Sequence, residues 1–484
     1  MSTITTVNPA TGENIESFEM ISAKDAAAKV EACHEAFSEW KLKSLEDRAA
    51  VIGGIGKALR DNKEELAQLM TREVGKLIGD SRDEIELCAG ICDYTAATGP
   101  KELADEKRDP SNAARGIVTY SPIGVIYGIQ PWNFPAYQVI RYAIASLMAG
   151  NGVLLKHSSL CTGSGLMIEK IFREGGLPEN LFTVLVIDHD TSDEIIAHDK
   201  VRGVTLTGSD GAGRHVAEKA AKVIKKTVLE LGSNDAYLVL EDADLAKAAD
   251  VCAQARLYNN GQTCINGKRF IVTDKVYDAF LEKFVGRFEG VKLGDPTDKD
   301  SDMGPMSSAD LRDDLQKQVD ESVSKGAKIA CGGKIPEAHQ TGWFYEPTIL
   351  TDCTTDMDIL HEETFGPVAA IVRVPDFDAA IAGANASDFG LGASVFTTSL
   401  EEAHDAHERL ESGMVWINNP MIDNDALPFG GWKNSGIGRE LGRMGLDTFR
   451  RTKMVILDHK PIRHEWWYPY PDDWFLDAGG RQIG

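Results

Sequence analysis

The chain has no apolar run long enough to cross a bilayer. Its longest, such as Ile123–Ile129 and Val368–Val372, fall far short of the roughly 20 residues a spanning helix needs, so no membrane partner is expected. Residues 1–20 lack a basic start followed by an apolar stretch, and no secretory leader is expected. Positive charge is short: 51 Lys and Arg stand against 75 Asp and Glu, a net charge of -24. That balance disfavours nucleic acid and anionic membrane surfaces, while leaving room for a local basic pocket. The 8 cysteines (33, 88, 92, 161, 252, 264, 331 and 353) are scattered, and no Cys-x-x-Cys pair occurs. Free thiols in a cytoplasmic protein are expected, with no disulfide framework and no metal site. Internal repeats and low-complexity segments are missing as well.

What is present is ordinary globular material: 484 residues, 43% hydrophobic and 26% charged, enough for two or three domains. Ser22 can cap a first helix, and helical patterns follow over roughly 46–61, 62–75 and 78–98. From Gly124 the pattern alternates strand and helix. Strands are predicted at 124–129, 152–155, 181–186, 203–207 and 226–231, with helices between them. A second alternation runs from Ala236 to about Val415. Repeated strand–helix units predict α/β architecture with a Rossmann-like parallel sheet and a second α/β domain. Ligands bind such sheets at the carboxyl ends of strands. The tail from His459 to Gly484 crowds Trp466, Trp467, Tyr468, Tyr470, Trp474 and Phe475 together.

Four stretches carry chemistry. Cys264 lies in Leu257–Arg269, a polar segment with Gly261 and Gly267 on either side, where a buried core cysteine would sit among aliphatic residues. A thiolate can attack a carbonyl carbon. Glu230 stands in the apolar run Val228–Leu231, a costly place for a carboxylate unless it is paired or functional. Burial would raise its pKa and suit it to accept a proton from water or a thiol; an ion-paired or capping Glu is the plainer alternative. Asn133, in Gln130-Pro-Trp-Asn-Phe-Pro135, follows a strand and can donate to a developing oxyanion. The turn Thr205–Gly213 can offer backbone N–H groups to a phosphate at a helix N-terminus, or simply connect two elements tightly.

The order and spacing of seven motifs resemble those of the NAD(P)-dependent aldehyde dehydrogenase superfamily, from Asn8-Pro9 to about Ile456. They are Pro131–Pro135, Gly150–Lys156, Thr207–Ser209, Leu229–Gly232, Gly261–Cys264, Glu362–Pro367 and Pro428–Gly431. Glu230 and Cys264 lie 34 residues apart (264 minus 230), as the family has them. The resemblance implies an enzyme that oxidises an aldehyde to an acid through a thiohemiacetal and a thioester on Cys264. Asn133 and the Cys264 N–H would hold the oxyanion, and Glu230 would activate the hydrolytic water. It further implies cofactor contacts from Trp132, Lys156, Ser159, Gly208, Ser209, Glu363 and Phe365. By the same likeness, residues 1–110 with 123–233 would bind NAD(P), 234–434 would be catalytic, and 111–122 with 435–484 would mediate assembly into a homodimer or homotetramer.

Two positions refine the expectation. Many NAD-preferring members carry Glu three residues after the lysine, where it holds ribose hydroxyls. Here Ser159 stands there, so NADP is expected to be accepted or preferred, with NAD also used. Arg141 resembles the arginine with which succinate-semialdehyde dehydrogenases hold the distal carboxylate, and a guanidinium suits that group. An arginine in a structural ion pair is the alternative. Tyr258 and the acidic Asp423 and Asp425 depart from that subfamily, so a neutral aromatic or aliphatic aldehyde, with Tyr137 and Tyr258 lining the tunnel, stays open. A CoA-acylating dehydrogenase is disfavoured by Glu230, and a non-catalytic dinucleotide-binding homologue by the joint presence of Cys264, Glu230 and Asn133.

Overall fold

The computed structural model describes all residues except Met1, 109–114, 459, 461–462, 464–465 and 483–484. The expected projecting segment 111–122 therefore lies partly outside the described residues, and so does part of the aromatic tail. No helix among the described residues is long and apolar enough to cross a membrane.

Two parallel sheets dominate. The first has the spatial order Gly436–Ile437, Lys226–Glu230, Val201–Thr207, Val125–Gln130, Gly152–His157, Phe182–Val184. Its last five strands run parallel, and Gly436–Ile437 pairs antiparallel with Leu229 and Glu230 at one edge. The second has the order Lys328–Cys331, Thr348–Thr351, Val368–Val374, Arg269–Thr273, Ala236–Val239, Gly392–Phe396, Met414–Ile417, parallel except at Lys328–Cys331. Their central strands are continuous apolar runs because helices cover both faces: Val125, Ile126, Tyr127 and all of Ala236–Val239 are buried.

The predicted helices form as Ala23–Trp40, Leu45–Asp61, Lys63–Val74 and Ile78–Glu102, and the first is capped by Ser22. By backbone contacts the chain divides into two compact units. One holds Met1–Leu103 with Pro122–Arg450, and the other Ala104–Ser121 with Arg451–Gly484. Both sheets fall in the first unit. Residues 435–450, expected with the C-terminal segment, also belong to it, because Gly436–Ile437 must return to pair beside Glu230. The second unit is a small sheet ordered Arg450–Leu457, Arg115–Pro122, Glu106–Arg108, followed by the tail. In the tail Tyr470 stacks on Trp474 at 5.1 Å, yet both rings stay about half exposed.

Candidate active site

The register of the first sheet brings four strand ends level. Ile129 and Gln130 pair with Lys156 and His157, and Thr207 pairs with Glu230. A cavity of about 220 Å³ opens at this edge, lined among others by Trp132, Asn133, Gly208, Ser209, Cys264, Glu363 and Phe365. Seven of the residues singled out from the sequence thus meet at one place. This is where a doubly wound sheet places its ligand.

Cys264 reaches the cavity because the backbone before it is forced out of regular structure. Asn259 and Asn260 adopt φ of 52° and 57°, a region where Asn is tolerated best after Gly. Asn260 is pinned there by bonds from Nδ2 to the carbonyls of Gly75 and Pro305, and from the Gly304 N–H to Oδ1. Gly261 has φ 75°, and a Cβ on it would lie 2.3 Å from the Gly366 carbonyl carbon, so only glycine fits. The Cys264 carbonyl accepts hydrogen bonds from the Ser233 hydroxyl and the Lys268 ammonium, and Lys268 also donates to Ser233 Oγ at 2.7 Å. The sulfur itself is partly buried. Burial pushes its thiol up to about 12, while the charges of Lys268 and Arg141 pull the other way.

Asn133 is buried, and its amide donates to the Gln262 carbonyl at 3.1 Å. An amide NH2 carries two hydrogens, so a second remains beside the sulfur's own loop. Asn259 Nδ2 donates to the Asn133 carbonyl at 2.8 Å, tying the two loops together. Trp132 and Phe365 face each other edge-on across the cavity at 5.6 Å.

Ser209 caps the helix Asp210–Lys222 by accepting from the Ala212 N–H, and the Gly208 N–H donates to the Glu230 carbonyl at 3.0 Å. The helix N-terminus therefore points its partial positive charge at the cavity rim. Glu363 accepts the Ser233 N–H at 3.0 Å and lies 3.6 Å from Lys268. A Cβ at position 232 would sit 2.8 Å from its Oε2, which explains Gly232. Lys156 and Ser159 sit off the cavity, at the end of the neighbouring strand. Lys156 is half-buried, its pKa lowered by burial against the pull of Asp188, and Ser159 is exposed.

Glu230 is buried, and neither carboxylate oxygen meets a hydrogen-bond partner among the described residues. Burial raises its pKa well above the carboxylate range, against the opposing charge of Arg141 and with the help of Glu440. Arg141 is buried behind the cavity. Its Nε donates to Glu440, its Nη2 to Gln138 Oε1 at 2.9 Å, and its face lies 4.2 Å from the Phe429 ring centre. Burial pulls this guanidinium down, but Glu440 together with Tyr137, Glu230 and Cys264 outweighs it and keeps the group charged. The ion pair foreseen as an alternative is therefore present, yet Nη1 remains without a partner among the described residues. Tyr137 donates to Asp423 Oδ2 at 2.6 Å. Tyr258 does not line the cavity at Cys264. It borders a neighbouring one of about 530 Å³ with Asp80 and Arg287, and touches Phe134.

Several supporting groups went unseen in the sequence. Glu84 accepts the N–H groups of Ala136 and Tyr137 at 2.8 and 2.9 Å, capping the helix that carries Gln138 and Arg141. Buried Arg256 bridges Asn266 and Gly267 to the Thr364 and Gly366 carbonyls, locking the cysteine loop to the Glu363 loop. His157 joins the strand end to the Asn133 loop through Nε2 and the Pro135 carbonyl at 2.9 Å, and burial pushes its imidazole down to about 4. Lys268 had a visible signal: a Lys-Arg pair opening an otherwise apolar strand. Glu84 had none, lying 52 residues from its partner.

A thiol that opens onto a dinucleotide-type crevice, with an orphan carboxylate behind it, is the working arrangement of an oxidoreductase that holds its substrate covalently. The chain belongs to the aldehyde dehydrogenase family, whose profile matches residues 1–455. It is 43% identical over 450 residues to a succinate-semialdehyde dehydrogenase [NADP(+)] of Deinococcus radiodurans, covering 93% of this chain and 94% of the relative. It is 39% identical to the succinate semialdehyde dehydrogenase [NAD(P)+] Sad of Escherichia coli K12, covering 93% and 97%. Among solved structures it resembles a succinic semialdehyde dehydrogenase of Streptococcus pyogenes crystallised with NADP+ as the cofactor. That likeness has a TM-score of 0.91 at 36% identity, over 94% of this chain and 99% of that one.

Proposed function

We propose that this enzyme oxidises succinate semialdehyde to succinate, accepting NADP and, less readily, NAD. The observation that carries the proposal is Nη1 of a buried, permanently charged Arg141, left without a partner among the described residues, on the helix that begins beside Asn133. The relatives' activities support the substrate class.

The residues present suit a dinucleotide. A helix N-terminus and the Thr207-Gly-Ser209 turn would meet its phosphates, Glu363 and Lys156 its riboses, and Trp132 with Phe365 the ring. The nicotinamide, when bound, supplies the hydride acceptor. Cys264 gives up its proton to solvent and forms the S–C bond to the aldehyde carbon, giving a thiohemiacetal. Asn133 Nδ2 and the Cys264 N–H hold the oxygen as it becomes negative. After the hydride has left that carbon, Glu230 takes a proton from water. The water oxygen bonds the thioester carbon, the S–C bond breaks, and the acid departs with the thiol restored.

A panel of aldehydes with both cofactors tests the proposal, and Arg141→Gln sharpens it. The variant keeps a donor for Glu440 but removes the charge. kcat/KM for succinate semialdehyde is expected to fall about 10- to 100-fold further than for butanal, the worth of one charged hydrogen bond. Equal losses on both would remove Arg141 as the selector.

Cofactor choice rests on Ser159, three residues after Lys156. A carboxylate there would meet the 2′-phosphate of NADP with like charge. Ser159→Glu is expected to shift the NADP-to-NAD ratio of kcat/KM at least about tenfold towards NAD. An unchanged ratio would place the choice elsewhere.

A further inference from the structure

The loop before Pro428 carries a second group that the family pattern does not supply. Asp423 is held by Tyr137, whose hydroxyl donates to Oδ2 at 2.6 Å, while Oδ1 is buried without a partner among the described residues. The same Tyr137 ring lies 5.1 Å from the Arg141 guanidinium. Asp423 is also close enough for its charge to act on Cys264, Glu230 and Tyr258. Asp423 Oδ1 and Arg141 Nη1, both buried without a partner among the described residues, thus belong to side chains that both lie against Tyr137.

We propose that Asp423 is a specificity-determining residue, whose ionised carboxylate weakens binding of aldehydes that carry a distal carboxylate. The inference rests on the succinate-semialdehyde reading and deepens it. Arg141 is the cation that acts on Asp423, and Glu440 already pairs with it, while Arg439 acts on Glu230. Glu230 and Asp423, when both ionised, leave the pocket negative, so a substrate carboxylate meets repulsion as well as Arg141. Burial raises the pKa of Asp423, against the hydrogen bond from Tyr137 and the charge of Arg141, with Asp425 on the same loop adding to the rise. At low pH the group is neutral and the carboxylate substrate enters. As pH rises through its pKa, the negative charge appears and KM for that substrate climbs. The charges of Glu230 and Asp423 act on one another, and ionised Glu230 adds in the same direction.

Asp423→Asn keeps the acceptor for Tyr137 and removes the charge. Its ratio of kcat/KM, succinate semialdehyde over butanal, is expected to rise about five- to tenfold above that of the native enzyme at alkaline pH. The native ratio is expected to decline with pH more steeply than the variant's. 4-Hydroxybutanoate competing against butanal gives a second measure, because it carries a distal carboxylate and no aldehyde to turn over: its Ki is expected to fall in the variant. A ratio and a Ki both within about twofold of native would overturn the role of Asp423. If neither enzyme oxidises succinate semialdehyde, the functional reading fails instead, and the 4-hydroxybutanoate Ki alone decides whether Asp423 repels carboxylates.

Discussion

Replacing Cys264 by alanine is expected to lower kcat at least about 10⁴-fold, a barrier increase of about 5.5 kcal/mol. A free aldehyde carbon has no good hydride to give; the thiohemiacetal on Cys264 does, because its oxygen can become negative beneath Asn133. Serine is expected to do no better, since its hydroxyl is less acidic than a thiol that burial already pushes up to about 12. At neutral pH such a thiol is almost wholly protonated, so the sulfur needs Lys268, Arg141 and a nearby base to become a nucleophile. None of the other cysteines lines the cavity. Burial holds Cys33 at about 12 and Cys331 at about 11, so they offer no substitute. The measurement is the appearance of reduced cofactor, with cofactor affinity followed separately by fluorescence titration. Production at the native rate would remove the thiol from the mechanism.

The features legible in the sequence are those with a local cause. Alternating apolar runs and turns gave strands and helices within a few residues of where they lie, and the polar segment around Cys264 stood out because its neighbours are unlike a core. Some short strands escaped, although three-residue Phe182–Val184 did not. Thr348–Thr351 and Met414–Ile417 have only four residues each, too few to show a period, and Gly436–Ile437 has two. The electrostatic frame escaped for a different reason. Arg141 meets Glu440 from 299 residues away, and Asp423 meets Tyr137 from 286. Charge pairing across such separations is decided by the packing of the whole fold, and no local pattern announces it. Tyr258 shows the same limit. Its place six residues before the cysteine suggested the tunnel, but the left-handed pair Asn259–Asn260 turns the chain between them, and the ring borders the neighbouring cavity.

Glu230→Gln is expected to separate the two halves of the reaction. Steady-state turnover should fall about 10²- to 10⁴-fold, the usual contribution of a general base, while a burst approaching one reduced cofactor per active site precedes it. Glutamine fills the same buried space, so the fold and the helix N-terminus at Ser209 are undisturbed, but its amide accepts no proton from water. The thioester then accumulates on Cys264. Hydroxylamine, which needs no such base, should discharge it and restore part of the turnover. The pH profile gives an independent check. Burial raises the pKa of native Glu230 well above the usual carboxylate range. Native kcat should therefore fall as pH drops through that pKa, and the variant's should be flat there. Should the burst itself slow in proportion to turnover, Glu230 also deprotonates the sulfur, as a thiol pushed up to about 12 requires of some neighbour. Native steady-state rates in the variant would leave its two unpartnered oxygens without a catalytic purpose, and the hydrolytic base would have to be sought on another side chain.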